Sequence, residues 1–269
     1  MPRRWPLPAV LLAGALAAAC GALPGAMAPG DGDAGADTGL VAGEAMQFEL
    51  RVAGIVVGNA AIAVGEPGEV EGRPALAVTS RIVSTGLGAL ISRVDDQATT
   101  VLDLDTWRPM TTTTDATYGA RRTLGLARFA PTLVEVELRR DDKPVSHARF
   151  VLGDEEAHDA HSAMAAVRTW SARPGEQRRL WIIGGRRLWR TDVTCVGEAT
   201  LGTAAGNRPA IQFDGVSARA RGNLTLDPSA KVRTFSVWLS ADADRVPLRV
   251  VAHTELGDAE LVLVDYQRP

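Results

Sequence analysis

Residues 234–266 read TFSVWLS ADADR VPLRVVAH TELGD AELVLVDY, three apolar runs set apart by two turn-rich spacers. In the first run Phe235, Val237 and Leu239 alternate with Ser236, Trp238 and Ser240. In the second, Val246, Leu248, Val250 and Ala252 share a side against Arg249 and His253. Successive side chains of a strand point to opposite faces, so this alternation marks half-buried strands. With Ala259–Tyr266 as the third, the stretch reads as an antiparallel meander.

The same texture runs upstream. Met46, Phe48, Leu50 and Val52 alternate with Gln47, Glu49 and Arg51, and Gly54 turns the chain into a strand at 55–64, where Gly58 marks a bend or bulge. Further strands are expected at 73–83, 97–104, 109–118, 121–129, 134–139, 145–152, 177–183, 186–196 and 210–220. Thr111 to Thr114, β-branched throughout, favour strand over helix. Asp141-Asp142-Lys143-Pro144 and Gly184-Gly185 are hairpin turns. Residues 84–91 (STGLGALI) read equally well as one helical turn or an apolar loop. One helix is expected over 159–171 (DAHSAMAAVRTWS), with Asp159 as its N-cap and Arg173-Pro174-Gly175 as its stop.

About twelve strands, one helix, short connections and no βαβ alternation exclude a parallel α/β fold. A sheet of that many strands must curl or split. The expected fold is therefore mainly β: a strongly curved antiparallel sheet, or incompletely closed β-barrel, with one helix packed on the concave side. A two-sheet sandwich is the alternative.

The 269-residue chain is 46% hydrophobic and 23% charged, an ordinary globular balance. Its net charge of −3 makes phosphate-driven nucleic-acid binding a poor fit. Arg3 and Arg4 precede the apolar run Leu7 to Ala19. At ~1.5 Å per residue that run falls short of a ~30 Å hydrocarbon core, so it reads as a signal peptide and not a membrane span. Leu16-Ala17-Ala18-Ala19-Cys20-Gly21 resembles a bacterial lipobox, with Leu one place further upstream than usual. Cys20 would then carry diacylglycerol and begin the mature chain; ordinary cleavage after Ala26-Met27-Ala28 is the alternative. The expected organisation is a signal peptide with lipobox at 1–20, a flexible Gly-, Ala-, Asp- and Pro-rich linker at 21–42, and one β-rich domain at 43–269. Asp31, Asp33 and Asp37 lack the terminal Glu of an EF-hand loop. With Cys20 lipidated or removed, Cys195 has no partner within the chain. Its strand parity with Trp189 and Val193 reads as a buried, inert thiol.

Several loose motifs then occur in order. Gly43-Glu44 opens the first strand pair with its Gly58, and Trp107-Arg108-Pro109 precedes a strand. Asp159-Ala160-His161-Ser162 leads into a helix ending at Arg168. Val237-Trp238-Leu239-Ser240, Asp244-Arg245-Val246-Pro247 and Gly257 precede the last strand. In these the chain resembles the bacterial exported proteins of domain-of-unknown-function family 3108, from about Gly43 to Tyr266. The resemblance implies export and a shape similar to the half-open barrels of lipoprotein carriers. It implies no activity.

No GxSxG elbow, P-loop, dinucleotide GxGxxG, CxxC or HExxH occurs. His147, His158 and His161, with Asp154, Glu155, Glu156 and Asp159 between, invite a zinc reading, but DEEAHD is more simply a solvated loop and Asp159 a helix cap. Ser162 lies too close to His161 and Asp159 on one helical turn to form a relay with them. Asp95 and Asp96 should point to opposite sides of their strand, Asp103 and Asp105 to the same side. Trp170, Trp181, Trp189, Trp238 and Met164 are core in the plain reading. In the sharper one they line a concave pocket for an acyl chain or other apolar ligand, with Arg168, Arg179, Arg186, Arg187 and Arg190 offered to an anionic headgroup.

The functional expectation is an exported, non-enzymatic lipoprotein of the cell envelope. It would be anchored through Cys20 at the outer membrane, facing the periplasm, and would bind a lipidic or other envelope component. No catalytic residue, metal or cofactor is assigned, and no oligomeric state follows from the residues. One alternative is an interaction module that pairs a partner strand at a sheet edge. Another is a metal-dependent hydrolase around His158 and His161.

Overall fold

The first and last strands of the domain lie side by side, so the sheet grows in both directions from the place where the chain enters and leaves it. The computed structural model describes residues 39–203, 206–254 and 257–269. The expected signal peptide, the expected lipobox at Cys20 and the expected linker up to residue 38 lie outside the described residues.

Chain order is β1 (Ala45–Val52), β2 (Ile55–Val64), a short β3 (Gly68–Val70), β4 (Arg73–Ser84), α1 (Gly86–Ile91), β5 (Val94–Asp103), β6 (Pro109–Tyr118) and β7 (Arg121–Ala130). It continues through β8 (Leu133–Arg140), β9 (Ser146–Val151), β10 (Ala157–His158), α2 (Ala160–Arg168), β11 (Gln177–Gly184), β12 (Arg187–Thr203) and β13 (Gly206–Ala220). The meander β14 (Arg233–Ser240), β15 (Pro247–His253) and β16 (Ala259–Gln267) closes it. All belong to one sheet, ordered β10-β11-β12-β13-β14-β15-β16-β1-β2-β4-β5-β6-β7-β8-β9, with β3 paired to β4 off that path. Among the described residues only β10–β11 is parallel. The expected curved, open sheet is thus the fold, and the two-sheet alternative falls away.

Three expectations need correction. The described residues form sixteen strands and not about twelve, the additions including β3 and β10, whose two or three residues are too few to show a period. Residues 86–91 form a second helix. The packed domain also begins before Gly43: Leu40 is buried in the core, and Gly39 sits so tightly on α2 that an added Cβ would lie 2.9 Å from the Ala165 carbonyl oxygen.

The main core collects the inward residues of both halves of the sheet, among them Met46, Phe48, Ile62, Val78, Leu102, Phe213, Leu239 and Leu261. Ala163, Ala165 and Val167 of α2 join them, so the helix packs on the inner face of the sheet. A capping box starts it: the Asp159 carboxylate accepts from the Ser162 amide at 3.0 Å, and the Ser162 hydroxyl accepts from the Asp159 amide at 3.0 Å. A cap of this kind contributes about 1 kcal/mol.

A second core joins Val134, Val136 and Phe150 of β8 and β9 to Trp181, Ile183 and Leu188 of β11 and β12. Leu180 and Ile182 on the opposite face of β11 belong to the main core. Both faces of β11 are therefore covered, and the two ends of the sheet overlap without pairing. The sheet stays open here, and side-chain packing alone spans the overlap.

Candidate functional site

Strand β5 aims Asp96, Ala98, Thr100 and Leu102 inward, and Asp96, Ala98 and Thr100 frame the most polar part of the interior. At the foot, Thr100 meets the N-terminus of α2. Its hydroxyl donates to Asp159 Oδ2 and lies 2.7 Å from His161 Nδ1, while His161 Nε2 lies 2.5 Å from Ser80 Oγ on β4. Because Thr100 gives its one proton to Asp159, Nδ1 must be the donor to Thr100.

This places a serine, a histidine and an aspartate in sequence through space, but not as a nucleophilic relay. Ser80 is fully buried, His161 and Asp159 nearly so, and Thr100 stands between the imidazole and the carboxylate, with His161 Nδ1 3.4 Å from Asp159 Oδ2. A reacting carbonyl could not reach Ser80 Oγ. Burial would push the Asp159 carboxyl up, but His161, the Thr100 hydroxyl and the Ser162 amide outweigh it and hold the group well below the usual carboxylate range. The array is a charge-bearing clamp between helix and sheet.

At the other end of the same strand face, Tyr118 donates its phenolic proton to Asp96. Burial pushes the Asp96 carboxyl up to about 6, against the lowering effect of that hydrogen bond. Asp95 points outward to Arg81 at 2.8 Å, so the adjacent aspartates do face opposite sides. Asp103 is buried and tied to Arg73, and its carboxylate also accepts from the Asp105 and Thr106 amides, a turn-holding role.

Between the two polar ends lies a cavity of about 70 Å³, lined by small and apolar groups of β5 to β8, by Asp159 and Ala160, and by the Gly184-Gly185 hairpin. A smaller one of about 20 Å³ lies on the other flank of α2, against His161, Met164 and Arg168.

The sequence-derived ligand residues do not converge. Met164 and Arg168 line the smaller cavity, but no tryptophan lines either. Trp181 is in the second core; Trp170 lies against Phe213 in the main core, ring centroids 5.7 Å apart. Trp189 is covered by Arg233 at 4.8 Å and Trp238 by Arg249 at 5.5 Å, both cation–π contacts. Arg168 is not offered to a headgroup either, being locked to Glu44 at 2.6 and 3.0 Å. Arg179 and Arg190 both pair with Asp192, while Arg186 and Arg187 are exposed at a hairpin tip. His147 is exposed on β9, and His158 is buried, where desolvation lowers its pKa. Cys195 is buried, and desolvation raises its thiol pKa.

Ser80, Thr100 and Tyr118 were not singled out from the sequence, and Asp96 only as the neighbour of Asp95. Their signal is a polar residue standing in an inward register: Leu76, Val78, Ser80, Ile82 on β4 and Asp96, Ala98, Thr100, Leu102 on β5.

The model of a family described as "Protein of unknown function (DUF3108)" matches residues 47–264. No curated protein matches the chain. Among solved structures, a beta-barrel-like protein of domain of unknown function DUF1849 from Brucella abortus is similar, with 11% identity and a TM-score of 0.54. That match covers 84% of this chain and 97% of the other, and at such identity the likeness is one of fold. A Bacteroides fragilis protein described as exported, with a YmcC-like fold, has 9% identity and a TM-score of 0.38 over 85% and 97% of the two chains. The hypothetical lipoprotein YmcC of Escherichia coli K12 has 9% identity and a TM-score of 0.32 over 83% and 88%. These two matches are too loose to carry argument.

Proposed function

This chain belongs to the DUF3108 family, and we propose on that premise that it is a non-catalytic binding protein of the cell envelope. Its ligand is apolar, the end of an acyl chain or a group of similar shape. It enters the cavity between β5–β8 and the N-terminus of α2 by parting the overlap of β7–β9 with β11–β13.

The observation that supports the reading most is that overlap. No strand pairing crosses it, so opening costs apolar contact and no ladder of hydrogen bonds. The cavity lies at this boundary, bounded by Gly184, Gly185 and Leu138. As it stands, about 70 Å³ is well below the ~300 Å³ at which drug-sized ligands are housed, so the shape described is the closed one. Strand addition at an edge is less well supported. Strand β10 has two residues, and β9 follows Pro144 and carries the exposed His147 and Arg149, devices that blunt an edge.

The leader residues support export, with Cys20 as an acyl anchor holding the domain to the outer membrane on its periplasmic side. Native and denaturing mass spectrometry of protein purified from its own envelope tests both points. The reading expects a native mass above the denatured mass by one extractable lipid, and an acyl increment on Cys20 that survives denaturation. Equal native and denatured masses would remove the ligand; a chain beginning elsewhere than Cys20 would remove the anchor.

A further inference from the structure

The barrel end that carries α1 has an uncharged apolar tip inside a basic rim, and we infer that this end docks on an anionic phospholipid surface. The inference stands apart from the ligand reading and uses different residues.

The tip is built rigidly. A Cβ on Gly88 would lie 2.0 Å from the Val57 carbonyl oxygen, so α1 is seated backbone to backbone on β2. That seating turns its large side chains away from the domain. Leu87 is 61% exposed, Leu90 83% and Ile91 78%. Ile55 and Val56 on the adjoining strand are exposed as well, and the Thr85 amide bonds the Val57 carbonyl at 2.9 Å to fix the two segments together. Scattered exposed apolar residues are ordinary; five in one place, three on a helix whose sequence GLGALI has no charge and two on the adjoining strand, form a patch of the kind that meets a partner or a membrane.

The charge around the tip selects the occupant. Arg93 follows α1, and its carbonyl accepts from Gly119 at 2.7 Å in the β6–β7 turn; the Asp141 amide bonds the Arg122 carbonyl at 2.8 Å, joining the β8–β9 turn to the row. Arg93, Arg121, Arg140 and Lys143 therefore share one arc, exposed and without an ion-pair partner among the described residues. Asp115 neutralises Arg122, Asp95 beside Arg93 is paired with Arg81, and Asp141 and Asp142 are further acids on this arc. Strand directions place Glu66, Glu69, Glu71, Asp105, Asp154 and Glu155, all exposed, at the opposite end. The chain is acidic overall, yet its charge is separated along the barrel, so an anionic surface orients it with α1 forward. Apolar side chains inside a basic rim are the recipe for a peripheral membrane contact.

Vesicle flotation of the full chain carrying Cys20→Ala tests this, since no acyl group then contributes and the leader is common to every variant. Vesicles of phosphatidylglycerol with phosphatidylethanolamine are compared with phosphatidylcholine alone. The parent should float with the anionic vesicles, and Leu90→Asp with Ile91→Asp should weaken that by roughly tenfold or more at an unchanged melting temperature. Arg93→Glu with Arg121→Glu should weaken anionic binding similarly and flatten its dependence on salt. Equal flotation of parent and variants overturns the inference, as does a parent that stays with neither vesicle. So does a Leu90→Asp, Ile91→Asp variant that turns a dimer into a monomer with vesicle binding unchanged, because the patch would then join two copies of the chain.

Discussion

Arg168, the last residue of α2, meets the carboxylate of Glu44, just ahead of β1, in a two-pronged ion pair at 2.6 and 3.0 Å, with both side chains out of contact with solvent. A further guanidinium proton goes to the Asp244 carbonyl at 2.9 Å, and Tyr266 reaches Glu44 from β16 at 3.4 Å. One cation thus ties the helix to the strand that begins the domain and to the turn before β15.

Removing one partner leaves the other charge buried and unpaired, which costs about 3–5 kcal/mol. Arg168→Ala is expected to lose stability of that order by urea unfolding, whereas Glu44→Leu with Arg168→Met loses much less than the two single changes summed. A loss under about 1 kcal/mol for Arg168→Ala would mean that the pair does not hold the helix.

Thr100 serves three partners, Asp159, His161 and Thr112, and Ser80 one, so the two should rank. Thr100→Val strands both Asp159 and His161, and is expected to cost more than Ser80→Ala, which leaves one imidazole nitrogen unpaired at about 1–3 kcal/mol. A fluorophosphonate probe should leave Ser80 unlabelled. Labelling there would show a reactive, reachable serine and overturn the clamp reading.

Asp96 should give the protein a pH signature. Its folded pKa, about 6, lies above the ordinary 3.8 because burial disfavours the anion. The protonated side chain therefore contributes its full stability below about pH 4, and that contribution is lost as pH rises through 6, by about 2–3 kcal/mol. Asp96→Asn should accordingly be more stable than the parent at pH 8 and no more stable at pH 4. A difference that does not vary between those pH values would show that Asp96 is not held protonated.

The ligand reading is separable from the tryptophans. Ala98→Leu with Ala127→Leu fills the larger cavity at an overpacking cost of about 1–3 kcal/mol, and should abolish co-purifying lipid. Trp238→Ala lies outside that cavity and should leave the lipid in place. The reverse pattern would return the site to the tryptophans.

Several residues of the motifs that marked the family have structural work here. Glu44 and Arg168 pair with each other, Asp159 and Ser162 cap α2, and the Asp244 carbonyl receives Arg168. Gly58 lets β2 approach β4, since an added Cβ would lie 2.3 Å from the Val83 carbonyl oxygen. The motifs could be read from the chain, but the pairing of Glu44 with Arg168, 124 residues apart, could not. Strand β11 is instructive in the same way. Leu180-Trp181-Ile182-Ile183 is a continuous apolar run, the mark of a strand covered on both faces, and it is the place where the sheet overlaps itself. The sharper reading of the tryptophans lent Trp181 to a pocket, and neither cavity contains it.

Alternation, turn residues and one cap were enough to establish an antiparallel, strand-rich domain with a helix capped by Asp159, because each depends on neighbours within a few residues. That the strands form one curved sheet and not two was decided by the tertiary structure. The binding geometry depends on which inward positions end up opposite one another. Whether Ser80 meets His161, whether Arg168 is free or paired, and whether a tryptophan faces a cavity or a core are set by how the two ends of the sheet curl past each other. Contacts of that range have no period in the chain, and folding alone brings them together.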